Sequence, residues 1–230
     1  MDNAMDIVNQ KHWYKKWWGI LLIAVLLILT SFFTASIFYV SSQVKGLLNN
    51  PQLLLAGQGQ IFQNTEGTDN YWLGSSRPKV TIVEFADFAC PYSKNSYSTI
   101  RELSIKYHDR IKLIYRDYPY ISEASPDLAQ AARCAGLQGL FWPMHDKLYQ
   151  NQGVTEKKAI AGLAVAAGVN LEKFLLCMEN KQTLPAVKKN MTDAEQFGVK
   201  GTPTWLVNGR KLEGDIPPAT WEKIIEQLSK

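Results

Sequence analysis

Residues 17 to 40 form an uninterrupted run of 24 positions without a charged side chain. A bilayer allows such a segment one stable conformation, because an α-helix satisfies its own backbone hydrogen bonds and about 20 apolar residues span the hydrocarbon core. The core of a secretory signal peptide is shorter, at about 7 to 15 residues. We therefore predict an uncleaved transmembrane anchor over 17–40. A signal peptide cleaved near Ser41 is the alternative.

The charges that flank this segment predict its orientation. Lys11, Lys15 and Lys16 precede it, whereas only Lys45 follows within twenty residues. Cytoplasmic flanks of membrane helices are enriched in Lys and Arg, so residues 1–16 are predicted to form a cytoplasmic tail. The chain after the anchor is then expected to lie outside the cytoplasmic membrane.

The remaining composition indicates one domain behind a linker. Residues 41–77 include the polar run Asn64 to Asn70 and are predicted to form a linker or arm. Residues 78–230 suffice for a single two-lobed core. The net charge of +4 comes from scattered lysines, which gives no support for nucleic-acid binding. The cysteines and histidines lack metal-ligand spacing, so no metal or other cofactor is expected.

The strongest chemical signal is Cys90-Pro91-Tyr92-Ser93, which directly follows the predicted strand 80–86. Proline suits the first position of a helix, so a helix is predicted from Pro91 toward Tyr107 with Cys90 at its N-terminus. Unpaired N–H groups and the helix dipole favour a thiolate there. The Ser93 hydroxyl can hydrogen-bond a thiolate but cannot form a disulfide. The sequence therefore predicts a one-thiol site.

A second pattern lies about 110 residues downstream. The stretch 204–207 is typical of a buried strand, and Asn208-Gly209 is a strong signal for a tight hairpin into a second strand. The chain ends with Pro218 to Leu228, whose apolar residues recur at helical spacing. These elements predict a strand hairpin and a final amphipathic helix.

Four blocks in this order resemble the DsbA-like thiol-disulfide oxidoreductases of the thioredoxin superfamily. The blocks are Glu84 to Tyr92, Tyr115 to Pro119, Gln138 to Asp146 and Gly201 to Thr204. The resemblance covers roughly residues 70 to 228. It implies an α/β thioredoxin fold with a helical domain inserted at about 122–190, here preceded by the transmembrane helix.

Local patterns agree with a helical insertion between two strand regions. Ile111 to Tyr115 is typical of a strand, and Ser125-Pro126-Asp127 is a helix start. Gly168 occupies a position suited to a helix C-cap, and Asn170 is suited to cap the next helix.

The resemblance also implies roles for individual residues. Cys90 is the expected nucleophile, and Pro91, Tyr92, Thr202 and Pro203 are expected to contact substrate, with the Thr202-Pro203 bond in the cis form. A buried acid near the position of Glu84 exchanges the proton of the thiol in the family. Glu84 lies within an apolar strand, where an acid is costly unless partnered or functional. A solvent-facing strand residue is the alternative for Glu84.

The other two cysteines, Cys134 and Cys177, both fall on predicted helices of the insertion. An extracytoplasmic location favours disulfides, so we predict a structural Cys134–Cys177 disulfide that leaves Cys90 free for exchange. Two buried, reduced cysteines are the alternative. His145 is expected to pack or cap rather than to bind metal.

The resemblance and the one-thiol motif together predict a membrane-anchored thiol-disulfide oxidoreductase or isomerase. Its expected partners are protein thiols and disulfides of the envelope or of secreted proteins, with a redox partner or small thiol that resolves the mixed disulfide. Ser93 argues against net oxidation by a dithiol mechanism. The alternatives are a non-catalytic peptide-binding or chaperone-like module, and a Cys-to-Ser trapping variant of a dithiol oxidase.

Overall fold

The computed structural model describes residues 17–49 and 60–230. The predicted cytoplasmic tail, 1–16, lies outside the described residues. The chain divides into two compact units between Asn50 and Pro51, and each is described by itself.

The first unit contains helix α1, Trp17–Asn49. Within Trp17–Gly46, the most apolar stretch of 18 residues has a mean hydropathy of 2.6, and none of that stretch is buried inside the protein. By length and composition this helix could cross a membrane, which is consistent with the predicted anchor. The helix also continues past residue 40, where a linker was expected, because no proline or glycine interrupts it before Gly46.

The second unit contains five strands and seven helices among the described residues. In chain order they are β1 Tyr71–Gly74, β2 Val80–Ala86, α2 Pro91–Lys106, β3 Ile111–Asp117, α3 Ser125–Gly136, α4 Phe141–Gln150, α5 Lys157–Ala166, α6 Leu171–Glu179, α7 Leu184–Gln196, β4 Thr204–Val207, β5 Arg210–Glu213 and α8 Pro218–Leu228. The strands form one mixed sheet in the order β1-β3-β2-β4-β5. Only β2 and β3 are parallel, and α2 connects them.

The central strand β2 is mostly apolar, with Thr81 and Glu84 as its polar residues, because helices cover both faces of the sheet. Val83 and Phe85 pack on one face with Ala194 of α7. Val80 and Ile82 pack on the other face with α2 and α8. Side chains alternate along a strand, so Glu84 belongs to this second face. Its register partners are Tyr115 on β3 and Trp205 on β4.

Several local expectations agree with the structure. Asn208 and Gly209 have φ values of 47° and 80° and form the tight turn between β4 and β5. The Asn170 side chain accepts a hydrogen bond from the backbone N–H of Lys173 at 3.0 Å and so caps α6. Gly168 follows α5 with a φ of 93°, as expected of a glycine beyond a helix end.

The helical region between β3 and β4 is longer than expected. Its helices run from Ser125 to Gln196 rather than ending near 190. Helix α7 packs on the sheet, whereas α3 to α6 share a separate core with the end of β2 and β3. A disulfide joins Cys134 of α3 to Cys177 of α6, with the two Cα atoms 5.8 Å apart.

The segment expected as a linker contains ordered structure that belongs to the sheet. Strand β1 pairs with β3 at the edge. This strand has almost no signal in the sequence, because it is only four residues long and follows a polar run. Upstream of it, the N–H of Phe62 donates to the carbonyl of Gly209 at 2.8 Å.

Two buried arginines hold the polar run that precedes β1. Arg116 donates to the carbonyl of Thr65 at 3.0 Å and forms an ion pair with Asp193 of α7. Arg133 donates to the carbonyl of Asp69 at 3.0 Å and forms a buried ion pair with Asp117. Both guanidinium groups therefore tie this polar run to β3 and to the helices.

Candidate active site

Cys90 sits where the motif predicts, at the N-cap of α2 with Pro91 in the first turn. It is the free cysteine of the chain and is only 2% exposed. Its Sγ lies 3.0 Å from the carbonyl oxygen of Thr202, to which the thiol donates a hydrogen bond. A thiolate cannot donate, so this contact belongs to the protonated form of Cys90.

Thr202 precedes Pro203, and the peptide bond between them is cis. The pair lies immediately before β4, which is the neighbour of β2 in the sheet. Because β2 leads directly to Cys90, this arrangement brings two segments 112 positions apart to one end of the sheet. The Thr202 Oγ1 atom is buried and makes no hydrogen bond.

Ser93 lies on the inner face of α2, one turn after Cys90, and is fully buried. Its hydroxyl makes no well-aligned hydrogen bond, although the Tyr149 hydroxyl is close enough to interact with it. The helix therefore points this side chain into the protein rather than toward solvent. A sulfur at this position would be similarly enclosed.

Glu84 is 1% exposed, and neither of its carboxylate oxygens makes a hydrogen bond. Burial raises the pKa of Glu84 to about 8, because an unpartnered charge is poorly solvated inside the protein. The solvent-facing alternative is therefore excluded. The hydroxyls of Tyr115 and Tyr149, which interact electrostatically with Glu84, lie 3.4 Å apart. Burial raises the pKa of both tyrosines well above the ordinary range.

Two further residues hold the loop of Cys90, and the sequence analysis missed both. The Asp87 carboxylate, 1% exposed, accepts hydrogen bonds from the backbone N–H groups of Ala89, Tyr120 and Ile121, each at 2.8 Å. An acid directly after a buried strand is a weak signal that could have identified Asp87. Gln152 donates from its side-chain amide to the carbonyl oxygen of Cys90 at 2.9 Å. No local pattern singles out Gln152.

Aromatic side chains near the site are partly open to solvent. Tyr92, directly after Pro91, is 64% exposed, and Tyr120 is 46% exposed. The Tyr120 hydroxyl lies 3.6 Å from the position that a Cβ on Gly201 would occupy. The exposed phenol of Tyr120 is therefore adjacent to the Gly201–Thr202 segment.

His145 packs inside the helical insertion. Its Nδ1 lies 2.8 Å from the Asp146 carboxylate, and its ring meets those of Phe88 and Tyr149 edge-on. Burial lowers the pKa of His145, since a charged imidazolium would be poorly solvated there. Among residues 17–49 and 60–230 there is no cluster of His, Cys, Asp and Glu that could hold a metal ion.

A family model described as "Thioredoxin" matches residues 66–227. This match covers most of the chain, so the protein belongs to the thioredoxin family. This family match and the fold shared with solved structures confirm the expected thioredoxin fold class.

Solved structures share the fold at low sequence identity. A thioredoxin-like oxidoreductase from Silicibacter pomeroyi DSS-3 has a TM-score of 0.66 and 24% identity, covering 72% of this chain and 96% of that one. The thiol-disulfide exchange protein alpha-DsbA2 from Wolbachia pipientis has a TM-score of 0.68 and 19% identity, covering 78% and 97%. A periplasmic thioredoxin-like protein from Salmonella enterica serovar Typhimurium has a TM-score of 0.62 and 24% identity, covering 74% and 98%.

Curated relatives include much longer membrane proteins. The Na(+)/H(+) antiporter NhaA of Herminiimonas arsenicoxydans is 28% identical over 153 residues, which are 66% of this chain and 24% of the antiporter. NhaA 1 of Salinispora arenicola is 33% identical over 144 residues, which are 61% of this chain and 22% of the antiporter. The chain thus spans about a quarter of the length of these relatives.

Proposed function

We propose that this protein catalyses thiol-disulfide exchange through Cys90 alone. The observation that carries the proposal is the placement of the free cysteine at a helix N-terminus, with its sulfur 3.0 Å from the carbonyl that precedes Pro203. The positive end of the helix dipole favours the thiolate, which is the attacking species in exchange.

The exchange proceeds in two displacements that conserve electrons. The Cys90 thiolate attacks one sulfur of a substrate disulfide, so that a mixed disulfide forms and the other substrate sulfur leaves as a thiolate. A second thiolate then attacks the substrate sulfur of the mixed disulfide and releases Cys90. Ser93 cannot supply that thiolate, so it comes from another part of the substrate or from a small thiol. The outcome is disulfide reshuffling or removal of a small-thiol adduct, with no net oxidation.

Glu84 exchanges the proton in this proposal. A carboxyl group with a pKa of about 8 is protonated at neutral pH and titrates in the range where thiols titrate. The ionised fraction of this carboxyl group can accept the proton that Cys90 loses, and the protonated carboxyl can return that proton when Cys90 leaves the mixed disulfide. In this proposal Pro91, Tyr92, Thr202 and Pro203 form the substrate-facing surface. Pro91 and Tyr92 directly follow Cys90, and the Thr202 carbonyl, next to Pro203, lies 3.0 Å from its sulfur.

The proposed setting is extracytoplasmic, with α1 as a membrane anchor and residues 1–16 in the cytoplasm. The apolar helix α1, the charge asymmetry around it and the periplasmic Salmonella relative support this setting. A reporter enzyme that is active only outside the cytoplasm, fused after Lys230, tests it. Activity of that fusion is expected. An inactive fusion, together with activity of a cytoplasmic reporter at the same site, would show that the orientation is the opposite one.

Trapping of the mixed disulfide tests the catalytic proposal. The full chain in detergent micelles is incubated with a peptide disulfide of glutathione and analysed by mass spectrometry after acid quenching. An adduct at Cys90 that a free thiol then removes is expected, and Cys90→Ala is the control without the nucleophile. A parent chain that forms no adduct yet still binds unfolded peptide would instead favour the non-catalytic binding module.

A further inference from the structure

Gln152 reaches from the helical insertion to the backbone of the reactive cysteine. It lies in the turn after α4, and its Nε2 donates to the carbonyl oxygens of Phe88 and Cys90, both at 2.9 Å. One amide group thus uses both of its protons on the loop that ends at the nucleophile. This contact joins residues 62 positions apart.

The loop from Asp87 to Cys90 is held by complementary partners. Asp87 supplies the acceptors: its carboxylate binds the N–H of Ala89 at 2.8 Å and its carbonyl binds the N–H of Cys90 at 3.0 Å. Gln152 supplies the donors to the two carbonyls. Removing the Gln152 amide therefore takes away one hydrogen bond from each of the two carbonyls, and removing the Asp87 carboxylate takes away the partner of the Ala89 N–H.

The element that carries Gln152 is itself fixed to the helix of Cys90. Arg101 of α2 donates two hydrogen bonds, both 3.2 Å long, to the Asp146 carboxylate of α4. Its guanidinium also lies 5.1 Å from the centroid of the Trp142 ring on α4. Because α2 and α4 are joined along their length, Gln152 is held at a defined place relative to Cys90.

We propose that Gln152 is a positioning residue that tunes the reactivity of Cys90, an inference that rests on the thiol-exchange function proposed above. The Cys90 carbonyl also accepts the first helical bond, from the N–H of Lys94 at 3.0 Å. Carbonyl oxygens carry partial negative charge, which disfavours a nearby thiolate. The two N–H groups of Gln152 offset that charge, so the amide favours the thiolate.

The test compares alkylation of Cys90 across pH in the full chain in detergent micelles. Iodoacetamide is the probe, and Cys90 is the free cysteine that it reports. Gln152→Met removes both donors while keeping the length of the side chain. Gln152→Glu keeps the shape and polarity of the side chain but replaces the two donors with a negatively charged acceptor. It therefore tests the proposal even if Gln152→Met disturbs the fold.

We expect alkylation of Gln152→Met at neutral pH to be about threefold to tenfold slower than that of the parent, from two lost neutral hydrogen bonds. The midpoint of its pH profile should move to higher pH, with the plateau at high pH unchanged. Gln152→Glu should move the midpoint further in the same direction. A purely structural role would instead lower the melting temperature and leave the midpoint in place.

Gln138 provides a matched control within the same insertion. It is also a half-buried glutamine. Its side chain donates to the carbonyl of Asn170 at 3.3 Å and accepts from the backbone N–H of Asn170 at 2.8 Å. Gln138→Met should leave the alkylation profile unchanged. An unchanged midpoint in both Gln152 variants, or an equal shift in Gln138→Met, would overturn the proposal.

The charged and titratable groups on the elements around Cys90 stay the same in all of these variants. They include Glu84, Asp87, Tyr92, Lys94, Tyr97, Arg101, Tyr120, His145, Asp146, Tyr149 and Lys200. Alkylation needs no disulfide substrate, so the two proposals fail separately. Absence of a mixed disulfide in the parent would refute thiol exchange. A pH profile of alkylation that is unchanged in the Gln152 variants would refute only the positioning role.

Discussion

Replacing Glu84 with glutamine should stabilise the protein at neutral and alkaline pH. The carboxyl group is buried without a hydrogen bond, and its pKa is raised from 4.5 to about 8 in the folded protein. Between these two values the folded state holds a proton that the unfolded state has released. Stability therefore falls as pH rises through this window. The full shift corresponds to a loss of about 5 kcal/mol above pH 8.

Thermal unfolding of the full chain in detergent micelles measures this effect. Near-ultraviolet circular dichroism follows the packing of aromatic side chains, and melts are recorded from pH 5 to pH 9 for the parent and for Glu84→Gln. For a domain of this size a change of about 5 kcal/mol moves the melting temperature by about 10 °C or more. The two proteins should melt together at pH 5, and the parent should melt at a progressively lower temperature above it.

The difference between the two curves isolates Glu84 from other titrating groups. Burial lowers the pKa of His145, so as pH falls the unfolded state binds this proton at a higher pH than the folded state does. His145 therefore makes stability rise with pH, which is opposite to the effect of Glu84. That contribution is common to both proteins and cancels in the comparison. Parallel curves from pH 5 to pH 9 would refute the burial argument. The same variant should slow thiol exchange if Glu84 handles the Cys90 proton.

Three further outcomes follow from the structure. Replacing Cys134 and Cys177 with alanine should cost roughly 4 kcal/mol of unfolding free energy, from the loop of 43 positions that the disulfide closes, measured by urea unfolding; in the parent, alkylation without reductant should label one cysteine per chain, and three labelled cysteines would contradict the pairing. Ser93→Cys should place a second sulfur one turn from Cys90 and abolish accumulation of the mixed disulfide while raising turnover of a protein disulfide, and an internal disulfide without any gain in turnover would count against catalysis. Trp221→Ala should destabilise the protein by about 3 to 5 kcal/mol, since this side chain is fully buried, and a melting temperature equal to that of the parent would show that the site collapses without loss.

Much of the fold could be predicted because its signals are local. Pro91 after Cys90 marks a helix start, and Asn208-Gly209 marks a tight turn, whatever the rest of the chain does. The apolar β2 indicated a strand covered on both faces. These patterns depend on neighbours in sequence, so they can be recognised without any knowledge of the tertiary structure.

The features that could not be predicted depend on distant partners. Strand β1 exists because β3 offers it an edge, and four residues are too few to show a period of their own. Gln152 resembles any glutamine in a turn until its amide meets the Cys90 carbonyl. The arginines Arg116 and Arg133 look like surface charges in sequence, yet each is at most 3% exposed. Their burial depends on carboxylates from several elements.

The two arginines have a mechanical consequence for a tethered domain. A pull that enters from the N-terminal side would reach β1, a short strand at the edge of the sheet, which can be peeled from β3 one hydrogen bond at a time. Arg116 and Arg133 donate hydrogen bonds to the carbonyls of Thr65 and Asp69, upstream of β1. Tension would therefore load the hydrogen bonds from the two guanidinium groups to these carbonyls before the edge strand carries force. The sheet, and with it the end that holds Cys90, would be shielded from strain.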